Sequence, residues 1–177
     1  MNLNIDNENI EDSFDRIAAD LLLKKALFVN GKEIRFTEIE FYYFDPVHQD
    51  NYTHKHRREL GEWRFHNQGL DITFQGDETS DGGILIRGIY VEGEYYNGPR
   101  IVVGKIFEFF SRVDTESNIV LKDTTERSCD ILKTFRHIPN EVYPDFHKKH
   151  YRYLTDFNDL KIQNTIKELI KKDSEVL

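Results

Sequence analysis

Glu38, Glu40 and Tyr42 stand two residues apart in the stretch Glu38-Ile39-Glu40-Phe41-Tyr42-Tyr43. On a β-strand, residues two apart share a face, so two carboxylates and a phenol line up in a row. A carboxylate can take a proton from water and steady a sugar cation, and an aromatic face can bind any nucleobase. Downstream lie Asp45-Pro46, a His-rich segment, and the run Gly82-Gly83-Ile84-Leu85-Ile86-Arg87-Gly88-Ile89. An acid, a ring, a His and an Arg brought together make a chemical site. The plainer reading is that Glu38 and Glu40 form the solvated face of an edge strand.

The strand that carries these residues has one irregularity. Ile34 and Phe36 share one face, whereas Ile39 and Phe41 share the other. A one-residue bulge near Thr37 places all four apolar side chains in the core and leaves Glu38, Glu40 and Tyr42 on the opposite face. Residues 84–90 are apolar except Arg87 and Gly88, the pattern of a buried central strand. A guanidinium there needs a carboxylate partner, so Arg87 is expected to share a pocket with Glu40.

Around these two strands, Ile10, Phe14, Ile17, Ala18, Leu21 and Leu22 recur at helical spacing. This predicts a helix capped by Asn9 that runs to about Phe28 and stops at Asn30-Gly31. Residues 45–61 read as a loop with one helical turn, and 62–74 as a hairpin turning at Asn67-Gln68-Gly69. Pro99 opens a second helix with Ile101, Val102, Lys105, Ile106, Phe109 and Phe110 on its apolar face. Residues 119–121, 131–135 and 151–154 read as strands, and Asn158 caps a closing helix bearing Leu160, Ile166, Leu169 and Ile170. Residues 1–8 read as a loose polar tail, and 1–177 as a single α+β domain.

The chain has 177 residues, 38% hydrophobic and 32% charged, with a net charge of -8. The acidic balance argues against strong nonspecific nucleic-acid binding, since phosphate contacts need Lys and Arg. The most basic segment is His54-Lys55-His56-Arg57-Arg58; with Arg64 and Arg100 it supplies the candidate phosphate contacts. The lone Cys129 excludes an internal disulfide and a Cys-based zinc site. His54-x-His56 is too little for a metal site, and no cofactor signature is present. Neither a membrane-spanning segment nor a signal peptide is read, so a cytoplasmic protein is expected.

No phosphate-binding loop, dinucleotide glycine motif or Gly-x-Ser-x-Gly elbow occurs. The order of motifs over about residues 13–110 resembles the alkyladenine (3-methyladenine) DNA glycosylase family. Arg16 to Leu23 is similar to its opening helix, and Glu38-Ile39-Glu40-Phe41-Tyr42 to its Glu-Thr-Glu-Ala-Tyr. His54 follows in the next loop. Asp71-Ile72 takes the place of Asn-Ile after a hairpin, and Gly83 to Ile89 is similar to Val-Leu-Leu-Arg-Ala-Leu. The match ends near Gly98-Pro99.

The resemblance implies a mixed or antiparallel curved sheet, or a partly open barrel, packed by helices. It implies that Glu40 is a general base activating water, that Arg87 places that carboxylate, and that Tyr42 and His54 stack on the base. It implies that Asp71 screens bases, and that the substrate is a modified purine flipped out of DNA, with no metal required. The chain departs from the pattern at the hairpin tip, His66-Asn67-Gln68-Gly69, where the family carries a Tyr wedge. His48 is the other candidate for the ring assigned to His54. The second reading is a binding module of the same fold that recognises a nucleobase, a nucleotide or a protein without cleavage; the acidic charge favours it.

Overall fold

Ile39, Phe41 and Tyr43 alternate with Glu40 and Tyr42 along the longest strand, and that alternation decides which side of the sheet is greasy. In the computed structural model, which describes residues 1–157 and 174–177, the apolar side is closed by the first helix. Helix α1 (Ile10–Ala19) buries Phe14, Ile17 and Ala18, and a π-helical turn over Asp20–Lys24 adds Leu21 and Leu22. Phe14 stacks on Phe41 with ring centroids 4.5 Å apart, and Phe74 and Tyr153 complete the ring-rich core.

The helix is shorter than its apolar spacing predicts. Lys25–Val29 is strand β1, which turns at Asn30-Gly31 into β2 (Lys32–Phe44). Asn30 and Gly31 both have positive φ, 48° and 84°, the signature of a tight hairpin rather than a helix stop. The expected loose tail is pinned instead. Arg16 donates to the carbonyls of Asn2 and Asn4, and Leu3 is buried.

The hairpin pairs β3 (Trp63–His66) with β4 (Gly69–Thr73). β4 pairs with the central strand β5 (Asp81–Val91), which also holds the short β6 (Glu94–Asn97), a strand the sequence pattern did not reveal. Residues 45–61 hold turns and a single bridge, Phe44 to Gln49, and no helical turn. Helix α2 (Pro99–Phe107) buries Val102 and Ile106 but leaves Ile101 exposed, so its buried face is narrower than expected. Next come β7 (Ile119–Asp123), β8 (Leu132–Thr134), the short α3 (Pro144–His147), β9 (Arg152–Leu154) and β10 (Ser174–Val176). The expected closing helix from Asn158 lies outside the described residues.

All of these pairings are antiparallel, and the sheet curls into a half-barrel in the order β10-β8-β9-β2-β5-β4-β3, with β1 and β7 continuing from the start of β2. The chain is one α+β domain. The register of β2 against β5 slips between Phe36 and Ile39, so the bulge falls at Thr37–Glu38. Ile34, Phe36, Ile39 and Phe41 are all buried as a result. Gly88 faces this bulge; a Cβ there would sit 2.7 Å from Thr37 Oγ1 and 2.8 Å from Glu38 Cβ. A side chain at position 88 and the bulge therefore exclude each other.

Candidate functional site

Cross-strand pairing sets one rung of side chains across the polar face: Arg152 on β9, Glu40 on β2, Leu85 on β5, Asp71 on β4 and Arg64 on β3. Directly paired residues in antiparallel strands point to the same side, so the rung reads cation, anion, apolar, anion, cation. On the next rung Tyr42 pairs with Gly83. Gly83 has no side chain, and the space beside it is a cavity of about 210 Å³. Tyr42 and His137 border it on one side, Asp71 and Arg64 on another, Leu85 and Gly83 beneath, and His54 and His66 at its rim.

Glu38 and Glu40 are not a solvated face. They are sealed beneath residues of the last third of the chain. Glu38 Oε1 accepts from Arg87 Nε at 2.8 Å and Arg152 Nε at 2.9 Å. Glu40, 0% exposed, has both oxygens occupied. Oε1 accepts the His137 backbone N–H at 2.6 Å, and Oε2 accepts the Tyr42 hydroxyl at 2.8 Å. Arg87 approaches Glu40 at 3.4 Å, so the expected pair forms, although Glu38 is the closer partner. Burial pushes the Glu40 carboxyl up, but the charges of Arg87 and Arg152 and the two hydrogen bonds outweigh it and hold it below its ordinary value. The same surroundings act oppositely on Tyr42. Burial first, then the Glu40 charge, raise its phenol well above its ordinary value.

Behind Tyr42 lies a second sealed ion pair. Arg136 forks onto Asp50, with Nη1 to Oδ2 at 2.5 Å and Nη2 to Oδ1 at 3.1 Å. Its guanidinium stands 4.5 Å from the Tyr42 ring centroid, so Tyr42 presents its ring with a cation at its back. The Tyr52 hydroxyl accepts the backbone N–H groups of Val142 and Tyr143, both at 2.9 Å, and ties the loop after β8 over the cavity. Arg136, His137 and Arg152 all come from the last third of the chain, where no site residue was expected. Arg152 carried the same signal as Arg87, a charge inside the apolar run Tyr151-Arg152-Tyr153-Leu154.

The opposite wall is less filled. Asp71 Oδ2 accepts from Arg64 at 2.7 Å and lies 3.1 Å from His66 Nε2. Its Oδ1 takes no hydrogen bond among the described residues and is not one of the polar atoms sealed from solvent. Thr53, nine-tenths buried, has a hydroxyl with no partner among the described residues. The exposed His54 ring stands at the rim, 6.3 Å from the His66 ring. Burial first, then Arg64 and His66, lower its pKa. His56 turns inward, its Nε2 bonded to the Gly82 carbonyl at 2.9 Å, so His54 and His56 do not converge. His48 sits in the core between the Tyr43 carbonyl and the Tyr151 hydroxyl, away from this cavity. Among the described residues no group of three or more His, Cys, Asp or Glu is placed to hold a metal ion.

The cations read as phosphate contacts are mostly engaged. Arg58 pairs with Glu62 at 3.1 Å, and Arg64 with Asp71. Arg100 donates to the Asn67 carbonyl, and Lys55 lies over the Phe44 ring. Arg57 is exposed, with a positive φ of 53° and its backbone N–H on Asp81. Among the described residues no helix is long and apolar enough to cross a membrane.

No family model matches the chain. The chain is similar to the uncharacterized protein L759 of Acanthamoeba polyphaga mimivirus, 27% identical over an alignment of 202 positions, gaps included, that covers 90% of this chain and 94% of that protein.

Proposed function

We propose that the protein recognises a nucleobase in the cavity beside Tyr42, as a binding module of an alkyladenine DNA glycosylase-like fold. The observation that carries this reading is the contrast between Glu40 and its neighbours. Glu40 is shut off from the cavity with both oxygens filled, while Tyr42, His54 and Asp71 line open space. A carboxylate held low by two guanidiniums is a weak base and has no lone pair facing a water in the cavity. Ring faces and a few polar groups around a small hollow suit a planar heterocycle. The engaged state of Arg58, Arg64, Arg100 and Lys55 favours a nucleoside or a short single strand over duplex DNA as the bound form.

The second reading is hydrolysis of the N-glycosidic bond of a modified purine in DNA. Its support is that Glu40, Tyr42 and Arg87 do meet at one place. It requires the Tyr42 hydroxyl to leave Glu40 and admit water. One experiment separates the two readings. Free purine nucleosides and oligonucleotides carrying hypoxanthine or ethenoadenine are titrated by calorimetry, and released base is followed by chromatography. Binding without release, weakened about tenfold or more in Tyr42→Ala, is the expected result. Base release that disappears in Glu40→Gln establishes hydrolysis instead. No binding to any of these ligands overturns the assignment of the cavity.

A further inference from the structure

We propose that Asp71 reads the edge of the bound base, and that the cavity selects purines of the guanine pattern, with a ring N–H beside an exocyclic amino group. This rests on the nucleobase reading above and adds the ligand class to it. The argument is an inventory of what the wall has left to offer. The His56 ring is spent on the Gly82 carbonyl and the Arg58 N–H. His66 Nδ1 accepts the Gln68 N–H, while its Nε2 has no hydrogen-bond partner among the described residues. The Tyr52 hydroxyl already takes two backbone donors. Asp71 is the acid among the residues lining the cavity, and its Oδ1 is open. Arg64 at 2.7 Å holds Oδ2 and so orients the carboxylate, while His66 Nε2 lies 3.1 Å from the same oxygen without a hydrogen bond. A fixed acceptor wants donors opposite it. Thr53, which also lines the cavity, has a buried hydroxyl without a partner among the described residues.

Guanine presents N1–H and a 2-amino group side by side, two donors that can converge on the one open oxygen. Hypoxanthine keeps only N1–H. Adenine presents an amino group beside a ring nitrogen lone pair, which meets the carboxylate with like polarity. Tyr42 supplies the ring face for any of the three, so it sets affinity without setting choice.

The test uses the intact protein and titrates guanosine, inosine, adenosine and 1-methylguanosine by calorimetry. Guanosine is expected to bind about tenfold or more tighter than adenosine, with inosine between them. Methylation at N1 removes one donor and is expected to cost guanosine a similar factor. Asp71→Asn keeps the shape but replaces an acceptor by a donor, and is expected to erase the preference for guanosine. Should Asp71→Asn fail to fold, the ranking of the four nucleosides on the unaltered protein decides alone. Equal binding of guanosine and adenosine, or 1-methylguanosine bound as tightly as guanosine, overturns the role of Asp71 and leaves the cavity as a base site. Absence of binding by all four overturns both.

Discussion

Glu40 and Asp71 lie on the same rung of the sheet, with Leu85 between them, and their surroundings differ. Around Glu40 every polar partner is in place. Two guanidiniums, a backbone N–H and a phenol close on it, and a second carboxylate balances the charge. Around Asp71 one oxygen is held and the other is open, and Thr53 has an unmet hydroxyl nearby. A sealed, fully satisfied network fixes shape, because any rearrangement leaves a charge stranded at low dielectric. A half-filled wall lacks that stake and can trade partners with a ligand. The first region is therefore expected to answer to mutation through stability, and the second through binding.

The largest effect should come from breaking the sealed side. Arg152 is 2% exposed and shares Glu38 with Arg87. Arg152→Leu leaves Glu38 and Glu40 with one guanidinium between them and should destabilise by about 3 kcal/mol or more. Urea unfolding followed by the fluorescence of Trp63 measures it. A loss under about 1 kcal/mol would show that the network is not rigid. Next in size is Gly88→Ala. Its Cβ meets Thr37 Oγ1 and Glu38 Cβ inside normal contact, so it should cost about 1–3 kcal/mol by straining the bulge that turns Glu38 and Glu40 to the polar face. An unchanged unfolding midpoint would mean that the bulge relaxes freely.

The sealed region was also the more legible half of the site in the sequence, though only up to its middle. The slip in alternation at Thr37 announced the bulge, and a guanidinium inside an apolar run announced that Arg87 needed an acid. The hairpin of β3 and β4 followed from its turn residues. Three things did not show. Lys25–Val29 continues the helical apolar spacing, and only its pairing with β2 and β7 makes it a strand. β6 is four residues long and depends on its partner β5. Arg136 and His137 reach the site through contacts about a hundred residues apart in the chain, and short-range periodicity carries no trace of those. The emptiness of the Asp71 wall depended on Gly83 standing opposite Tyr42, which is a matter of register alone.

A smaller effect, of opposite sign, is expected on the open side. Thr53→Val replaces an unpartnered buried hydroxyl with a methyl group of the same shape. Removing a polar group that has no hydrogen bond should stabilise the free protein by about 1 kcal/mol. If the hydroxyl serves a ligand, the same change should weaken nucleoside binding. A rise in midpoint urea concentration with weaker binding sharpens the contrast with Arg152→Leu. A fall in stability would mean that the hydroxyl is satisfied after all.

The smallest effect on stability is expected at His54, and it is the one most sensitive to pH. Its ring is exposed at the cavity rim, without a hydrogen bond to the described residues, so His54→Ala at pH 8 should change stability by less than about 0.5 kcal/mol. Burial and the neighbouring Arg64 and His66 lower its pKa in the folded protein from the ordinary 6.5. The unfolded chain then binds the proton more readily than the folded one between those two values. The wild type should therefore lose a little stability as pH falls through 6.5 toward the folded value, and His54→Ala should lack that loss. The two proteins should match at pH 8 and separate below pH 6.5, with the variant the more stable. Urea midpoints measured across this range check the sign, and a gap that opens in the other direction would mean that Asp71, not Arg64, governs the ring. Nucleoside binding should weaken in the variant at every pH, since the ring is lost from the rim.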